Sequence, residues 1–235
     1  MLRLQRIALI QATLRTCSDL HISGGREFQV RADQQTVKHQ ETGIPYIPGG
    51  TLKGVMRAQL ELAFGVAQWS RGEPLTLEAA HAANWPRGAL EILQIFGCKA
   101  ALMPGITATL GPSRCAFDHA EASQDWVTEL RRRNAPLTNR ATITRTDRKT
   151  GMSNLKIDLE VVPAGASFRF QLVWREYDGD RTLDVLRHGL SLLVDRGIGF
   201  GVSRGFGRIA LDDLKLDGEP LELPNIYQRI EGLGT

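Results

Sequence analysis

Apolar positions along this chain switch between a strand-like and a helix-like period, and the switches sketch an α+β domain. Residues Leu4 to Leu14 read L-x-x-I-A-L-I-x-A-x-L, the run expected of a central strand. The polar, glycine-broken segment from Thr16 to Gly43 is longer than an ordinary connection, and such segments carry function or small elements of their own. Pro45 and Pro48 then bracket a rigid extended piece. Thr51 is suited to capping a helix. Behind it Leu52, Val55, Met56, Leu60 and Ala63 fall on one face at helical spacing, and Gly65 can end the helix.

Between Ala67 and Met103, Pro, Gly and Trp interrupt two weakly helical patches, the texture of an inserted lid. Short strands are expected at Ile106–Leu110 and Arg114–His119. Leu137 to Leu159 has little apolar content and reads as an extended basic hairpin arm, tipped by R-K-T-G at Arg148 to Gly151. Pro163, Ala164 and Gly165 make a turn, and Phe168 to Trp174 runs apolar, as a buried strand does. Asp180 is placed to cap a helix reaching Leu193, with Leu183, Leu186, Leu190 and Leu193 along one side. Arg208 to Leu216 is a closing strand. The order strand, helix, strands, helix, strand is that of a ferredoxin-like (RRM-like) core, an antiparallel sheet with two helices on one face.

Composition narrows the class of partner. With 235 residues and 42% hydrophobic content the chain can bury a sizeable core as one domain. Its 29 basic residues face 26 acidic ones, so a net charge of +3 excludes coating nucleic acid by bulk charge, and any nucleic-acid site must be local. Arg131, Arg132 and Arg133 read as a solvated face. Cys17, Cys98 and Cys115 show no zinc-ligand spacing and suggest reduced thiols in a cytoplasm. Arg3 and Arg6 interrupt the N-terminal apolar residues, so no signal peptide is expected. No window approaches the ~18 consecutive apolar residues of a membrane span, so the expectation is a soluble protein with no membrane partner.

Two glycine motifs carry the candidate chemistry. G-I-G-F-G-V-S-R-G-F-G-R, Gly197 to Arg208, combines glycines that let a backbone approach a phosphate with arginines that bind one. Alone, it fits equally a loop that needs positive φ angles for its own shape. P-Y-I-P-G-G-T-L-K-G-V-M-R, Pro45 to Arg57, brings Gly49 and Gly50 to the start of a helix, where free amides and the helix dipole favour an anion. Lys53 opposes that dipole and Arg57 lies one turn on, which makes most sense beside a phosphate. An ordinary amphipathic helix with exposed basic residues is the plainer reading. In C-A-F-D-H-A, Asp118 and His119 are adjacent strand residues pointing to opposite faces, and Asp118 reads as structural or interfacial.

In this order the motifs resemble the RAMP superfamily of CRISPR effectors, and most closely the repeating backbone subunit of type III complexes. The resemblance also includes L-H-I-S-G-G (Leu20 to Gly25), R-x-D-R-K-T-G (Arg145 to Gly151) and V-V-P-A-G-A-x-F (Val161 to Phe168). It implies a single RAMP domain over residues 1–235, with insertions at about 16–46 (catalytic loop), 66–104 (lid) and 137–163 (thumb hairpin). It implies guide-RNA contacts from Gly49, Lys53, Arg57, Gly201, Ser203, Arg204 and Gly205, with His21 where the family has an RNA-contacting histidine. The arm tipped by Arg148 and Lys149, with Met152 as an apolar wedge, is similar to the family's thumb, which intrudes between guide and target.

Counting back from Ile47-Pro48-Gly49 places Asp33 where type III backbone subunits carry the aspartate that cuts target RNA. The resemblance implies Asp33 as catalytic residue and as ligand to a divalent metal, Mg²⁺ or Mn²⁺. The family often has a proline two residues after that aspartate, whereas this chain reads Asp33-Gln34-Gln35-Thr36. Implied partners are guide RNA, complementary target RNA, copies of the same chain and other effector subunits. The alternatives are a structural guide-binding subunit without nuclease activity and a stand-alone guide-processing ribonuclease, which would use His or Tyr near the glycine loop. The nearest such residue is His188, on the preceding helix. A metabolic enzyme binding a mononucleotide would need an adenine-binding fingerprint that the chain lacks.

Overall fold

A computed structural model describes residues 2–23, 34–70, 72–98, 110–150 and 153–226. Strand β1 (Leu4–Thr16) is the spine of the sheet. Its alternation buries Ala8, Ile10, Leu14 and Thr16 on one face and leaves Ile7 60% exposed on the other. β7 (Ser167–Tyr177) lies antiparallel along nearly its whole length, from Leu4↔Tyr177 to Arg15↔Ser167, and buries Phe168, Phe170, Leu172 and Trp174 on the same face. β8 (Ile209–Leu216) takes the other flank, from Thr16↔Ile209 to Ile10↔Leu216. The outer edge of β7 receives two short strands, β3 (Cys115–Phe117) and β4 (Ala120–Ala122). β2 (Tyr46–Ile47) pairs with β4, and β9 (Glu219–Pro220) with β8. Taking β3 and β4 as one interrupted strand, the order second–third–first–fourth is the ferredoxin-like topology expected from the sequence.

Two long helices cover the buried face. α1 (Gly49–Ala63) supplies Leu52, Met56 and Leu60, and α5 (Thr182–Arg196) supplies Leu186, Leu190 and Leu193. They cross closely at Gly189, where a Cβ would press on the side chains of Leu60 and Met56. Helix α1 begins earlier than its cap residue suggested: Pro48 is the N-cap, with no side-chain hydrogen bond, and Thr51 lies inside the first turn. At α5 the cap position belongs to Arg181, because Asp180 turns inward. Its carboxylate receives Arg114 Nε and Nη2 at 2.8 and 3.0 Å, in a pair 2% and 0% exposed.

The segment expected as a lid contributes to the core. α2 (Leu77–Ala82) is capped by Thr76, whose hydroxyl accepts the Ala79 amide. α3 (Ala89–Phe96) buries Ile92, Leu93, Ile95 and Phe96 in the same cluster as α1 and α5. Of the strand expected at Ile106–Leu110, residues 106–109 lie outside the described residues. A helix not foreseen, α4 (Gln124–Arg132), places Arg131 and Arg132 in its last turn, where the helix dipole favours cations, with Arg133 at its end. Arg132 and Arg133 both pair with Glu129.

The basic arm stands apart as a two-stranded sheet of β5 (Asn139–Thr146) and β6 (Ser153–Val161), in register from Asn139↔Val161 to Arg145↔Leu155. Asp147 rounds its turn by accepting the Lys149 and Thr150 amides at 2.8 and 3.0 Å. Gly151 and Met152 lie outside the described residues.

Candidate nucleic-acid interface

Strand register gathers the sequence motifs at one end of the sheet. There β1 finishes at Thr16, β7 begins at Ser167 and β8 begins at Ile209. The base of the hairpin arm joins them, because Leu20 pairs with Val162 and the Thr16 hydroxyl donates to Pro163 O at 2.8 Å. The glycine loop enters β8 here, and Cys17 N donates to Arg208 O at 2.8 Å. Tyr46 and Ile47 reach the same end through β4, whose partners on β7 are Arg169 and Phe168, and they deliver the start of α1.

Gly49 is where glycine is required: a Cβ would collide with the carbonyl oxygens of Phe117 and Asp118. Its amide donates to His119 Nδ1 at 3.0 Å, so a neutral His119 ring carries its proton on Nε2. The His119 ring lies 5.2 Å from Tyr46, and Tyr46 stacks on His39 at 4.5 Å. His39 Nε2 sits 2.7 Å from Glu121 Oε2. Sequence reasoning passed over this cluster because its members come from three separate segments. Lys53, four residues into the helix, is half-buried on the same element.

Arg57 does not face outward as the motif suggested. Its guanidinium donates to Glu61 Oε1, Gly97 O and Leu75 O at 2.8, 3.2 and 2.6 Å. The Arg57 and Glu61 side chains are 15% and 7% exposed, so Arg57 is a strut between α1 and the segment that follows it. The physical reason is local: the loop around Leu75 buries backbone groups that need partners, and Glu61 also accepts the Leu75 amide at 3.0 Å.

The glycine loop divides into a clasp and a presented turn. Gly197, Gly199 and Gly207 have φ of 73°, 81° and 68°, and side chains on them would strike the carbonyl oxygens of Gly207, His21 and Ile198. Backbone bonds from Ile198 N to Gly207 O and from Phe200 N to His21 O, both 2.9 Å, close the clasp on the segment after β1. Between them Gly201 and Gly205, at φ 77° and 90°, bracket one 3₁₀ turn, Val202–Arg204. Ser203, Arg204 and Gly205 are exposed, and nothing lies within 4 Å of a Cβ on Gly205. Phe200 is 44% exposed, with its ring edge-on to His21 at 6.2 Å.

His21 itself is fully buried. Its Nδ1 donates to Glu160 O at 2.8 Å, and Nε2 accepts from Ser23 Oγ at 3.3 Å, so both ring nitrogens are engaged inside the fold. The segment it belongs to is threaded between the glycine clasp and the hairpin base, which turns a polar ring inward. Arg148 and Lys149, in contrast, are exposed at the hairpin turn. Asp33 lies outside the described residues; its neighbour Gln34 is placed by main-chain bonds to β6.

Among the described residues, no group of three or more His, Cys, Asp or Glu side chains is arranged to hold a metal ion. Burial raises Glu160's carboxyl pKa, but the hydrogen bonds and charge of Lys38, the Thr138 hydroxyl and the Thr36 amide outweigh it and hold the group below its ordinary value. Burial pushes the Cys115 and Cys98 thiols up, the environment of inert structural cysteines. No helix among the described residues is long and apolar enough to cross a membrane.

A family model for the RAMP superfamily matches residues 13–210. The chain is 29% identical over 247 residues to the CRISPR system Cms endoribonuclease Csm3 of Methanothermobacter thermautotrophicus, covering 94% of this chain and 90% of that one. To the protein of the same name in Methanocaldococcus jannaschii it is 26% identical over 227 residues, covering 94% and 85%. Among solved structures, it matches a chain of the Csm3–Csm4 subcomplex of a type III-A CRISPR–Cas interference complex, with a TM-score of 0.55 and 22% identity over 91% of this chain and 80% of that one. It also matches a chain of the type III-B Cmr-beta complex bound to cognate target RNA, with a TM-score of 0.58 and 15% identity over 90% and 61%. Both structural likenesses concern the fold.

Proposed function

The chain belongs to the RAMP superfamily, and from that membership we propose that it is a guide-RNA-binding backbone subunit of a cytoplasmic type III CRISPR interference complex that cleaves bound target RNA through Asp33. The relatives named as endoribonucleases support the activity. The observation that carries the reading is the convergence at one sheet end of three things: the start of α1, the presented turn of the glycine loop, and the chain entering from Asp33 at Gln34.

In this reading Lys53, Ser203, Arg204 and the backbone amide of Gly201 hold guide phosphates, Gly49 and Gly205, whose amides are bonded to His119 and Val202, shape the two turns that present them, and the exposed Arg148 and Lys149 carry the hairpin arm against the guide–target duplex. Arg57 and His21 shape that surface from beneath. The carboxylate of Asp33 orients the target's 2′-hydroxyl towards the neighbouring phosphorus. The 2′-oxygen forms its bond to phosphorus as the bond to the next nucleotide's 5′-oxygen breaks, and the 2′-hydroxyl proton passes overall to that 5′-oxygen, leaving a cyclic phosphate and a 5′-hydroxyl. The described residues offer no donor set for the expected divalent ion, so no step is assigned to it. Copies of the chain, each holding a segment of guide, would cut at a regular spacing.

Binding to a labelled guide RNA as a function of salt tests the interface. Arg204→Ala and Lys53→Gln should each weaken binding uniformly across sequences and lower the salt slope by about 1. Unchanged binding in both, or preference for mononucleotides over long RNA, would count against it.

A further inference from the structure

Glu160 joins the two described stretches of chain that flank the segment carrying Asp33, and we infer that it is a positioning residue for target-RNA cleavage, tying those two feet to the base of the hairpin arm. The inference rests on the proposed role of Asp33. On the incoming side, Glu160 O accepts His21 Nδ1 at 2.8 Å, and the neighbouring Ile22 O accepts Val37 N at 2.8 Å. On the outgoing side, Glu160 N donates to Gln34 O at 2.9 Å, and Gln34 N donates to Asp158 O at 3.3 Å. The carboxylate then takes Thr36 N on Oε2 at 3.2 Å and Lys38 Nζ on Oε1 at 2.7 Å. Thr138, at the entry to β5, donates to the same Oε1 at 2.7 Å.

A glutamate that merely decorates a strand does not combine these bonds. Its main-chain carbonyl holds one foot, its main-chain amide the other, and its side chain fastens the second foot to the entry of the opposite hairpin strand. The Glu160 side chain is 20% exposed, so these bonds are sheltered from water and keep their geometry. The bridge Ser23↔Thr36 closes the two feet on each other directly above it. Because Gln34 adjoins Asp33, the register held by Glu160 sets where the chain enters from the aspartate. A hairpin arm displaced by RNA would also pull on that register, so the same residue links the arm to the chemistry.

Glu160→Gln keeps the size and one acceptor but loses the charge that holds Lys38. In the assembled guide complex, single-turnover cleavage at saturating target should fall about tenfold or more, as expected for a misplaced catalytic group, while target affinity stays at the native value. Hydrogen exchange of the isolated subunit should quicken at the Thr36 and Val37 amides, while the melting temperature at neutral pH falls by only a few degrees with the loss of the carboxylate's charge. A role in folding alone would lower stability and affinity together and leave the rate at saturation unchanged. Native cleavage by Glu160→Gln, where Asp33→Ala abolishes it, would overturn the inference. Native cleavage by Asp33→Ala would instead sink the reading beneath it. Should Glu160→Gln fail to assemble, Lys38→Met combined with Thr138→Val removes two of the carboxylate's partners, and native cleavage there overturns the inference equally.

Discussion

Individual residues here are separated by what their surroundings leave them free to do. Gly207 and Gly205 share a positive φ, yet Gly207 meets the Ile198 carbonyl whereas Gly205 opens on solvent. Gly207→Ala should therefore cost stability by about 2 kcal/mol or more in chemical denaturation, the strain of a forced backbone plus a carbonyl contact. Gly205→Ala should cost only about 1 kcal/mol, the penalty for its φ alone. Equal costs would mean the clasp is looser than its hydrogen bonds indicate. Arg114 makes a second case. Arg114→Met leaves Asp180 buried without its cation and should lose about 3–5 kcal/mol, much of it recovered when Asp180→Leu is added. Urea melts of the two variants and their combination measure it. Sequence reasoning found Asp180 but gave it the wrong partner: cap residues are recognised by local spacing, whereas Arg114 is 66 residues away.

Elements show the same division between local and distant causes. The spine β1, the strand β7 and the helices α1 and α5 were legible because their apolar periods are long and unbroken. The short strands β2, β3 and β4 depend on pairing at an edge; β2 showed only as an extended piece between two prolines, β3 as a short apolar run and β4 not at all, and α4 was hidden under its arginines. The glycine motifs fall at one end of the sheet, but the division of labour inside them was not legible. The spacing that puts Arg57 one turn from Lys53 says nothing of Leu75 and Gly97, which claim its guanidinium. Two predictions belong at this scale. Helix α1 has no acidic residue in its first turn, and Lys53 opposes its dipole. Lys53→Glu should thus hold or slightly raise thermal stability, by up to about 0.5 kcal/mol, while weakening guide binding; loss of both together would make Lys53 a packing residue. At the hairpin base, the lowered folded pKa of Glu160 means its stabilising contribution is fully present above the ordinary carboxylate value of 4.5 and is lost as pH falls through the lower folded value. The stability gap between the native chain and Glu160→Gln should be constant from neutral pH down to about that value and then close. A gap that persisted at lower pH would mean the carboxylate charge is not what stabilises the base.

For the whole molecule, the small net charge of +3 and the clustered exposed cations imply recognition by place rather than by bulk attraction. The ferredoxin-like sheet acts as a platform that carries its helix start, its glycine turn and its hairpin arm to one end, and no fold of this type would by itself assign an activity. The proposed activity rests on a family-matched sequence combined with that convergence. In the proposed function, target sequence is left to pairing with the guide, so the protein's own contacts are expected to be indifferent to it. The most direct measurement is cleavage of a labelled complementary RNA by the assembled guide complex, with the native chain and with Asp33→Ala. The account predicts regularly spaced products from the native complex and their complete loss in Asp33→Ala, with target binding intact. The same products from both complexes, or tight target binding with no products from either, would contradict it.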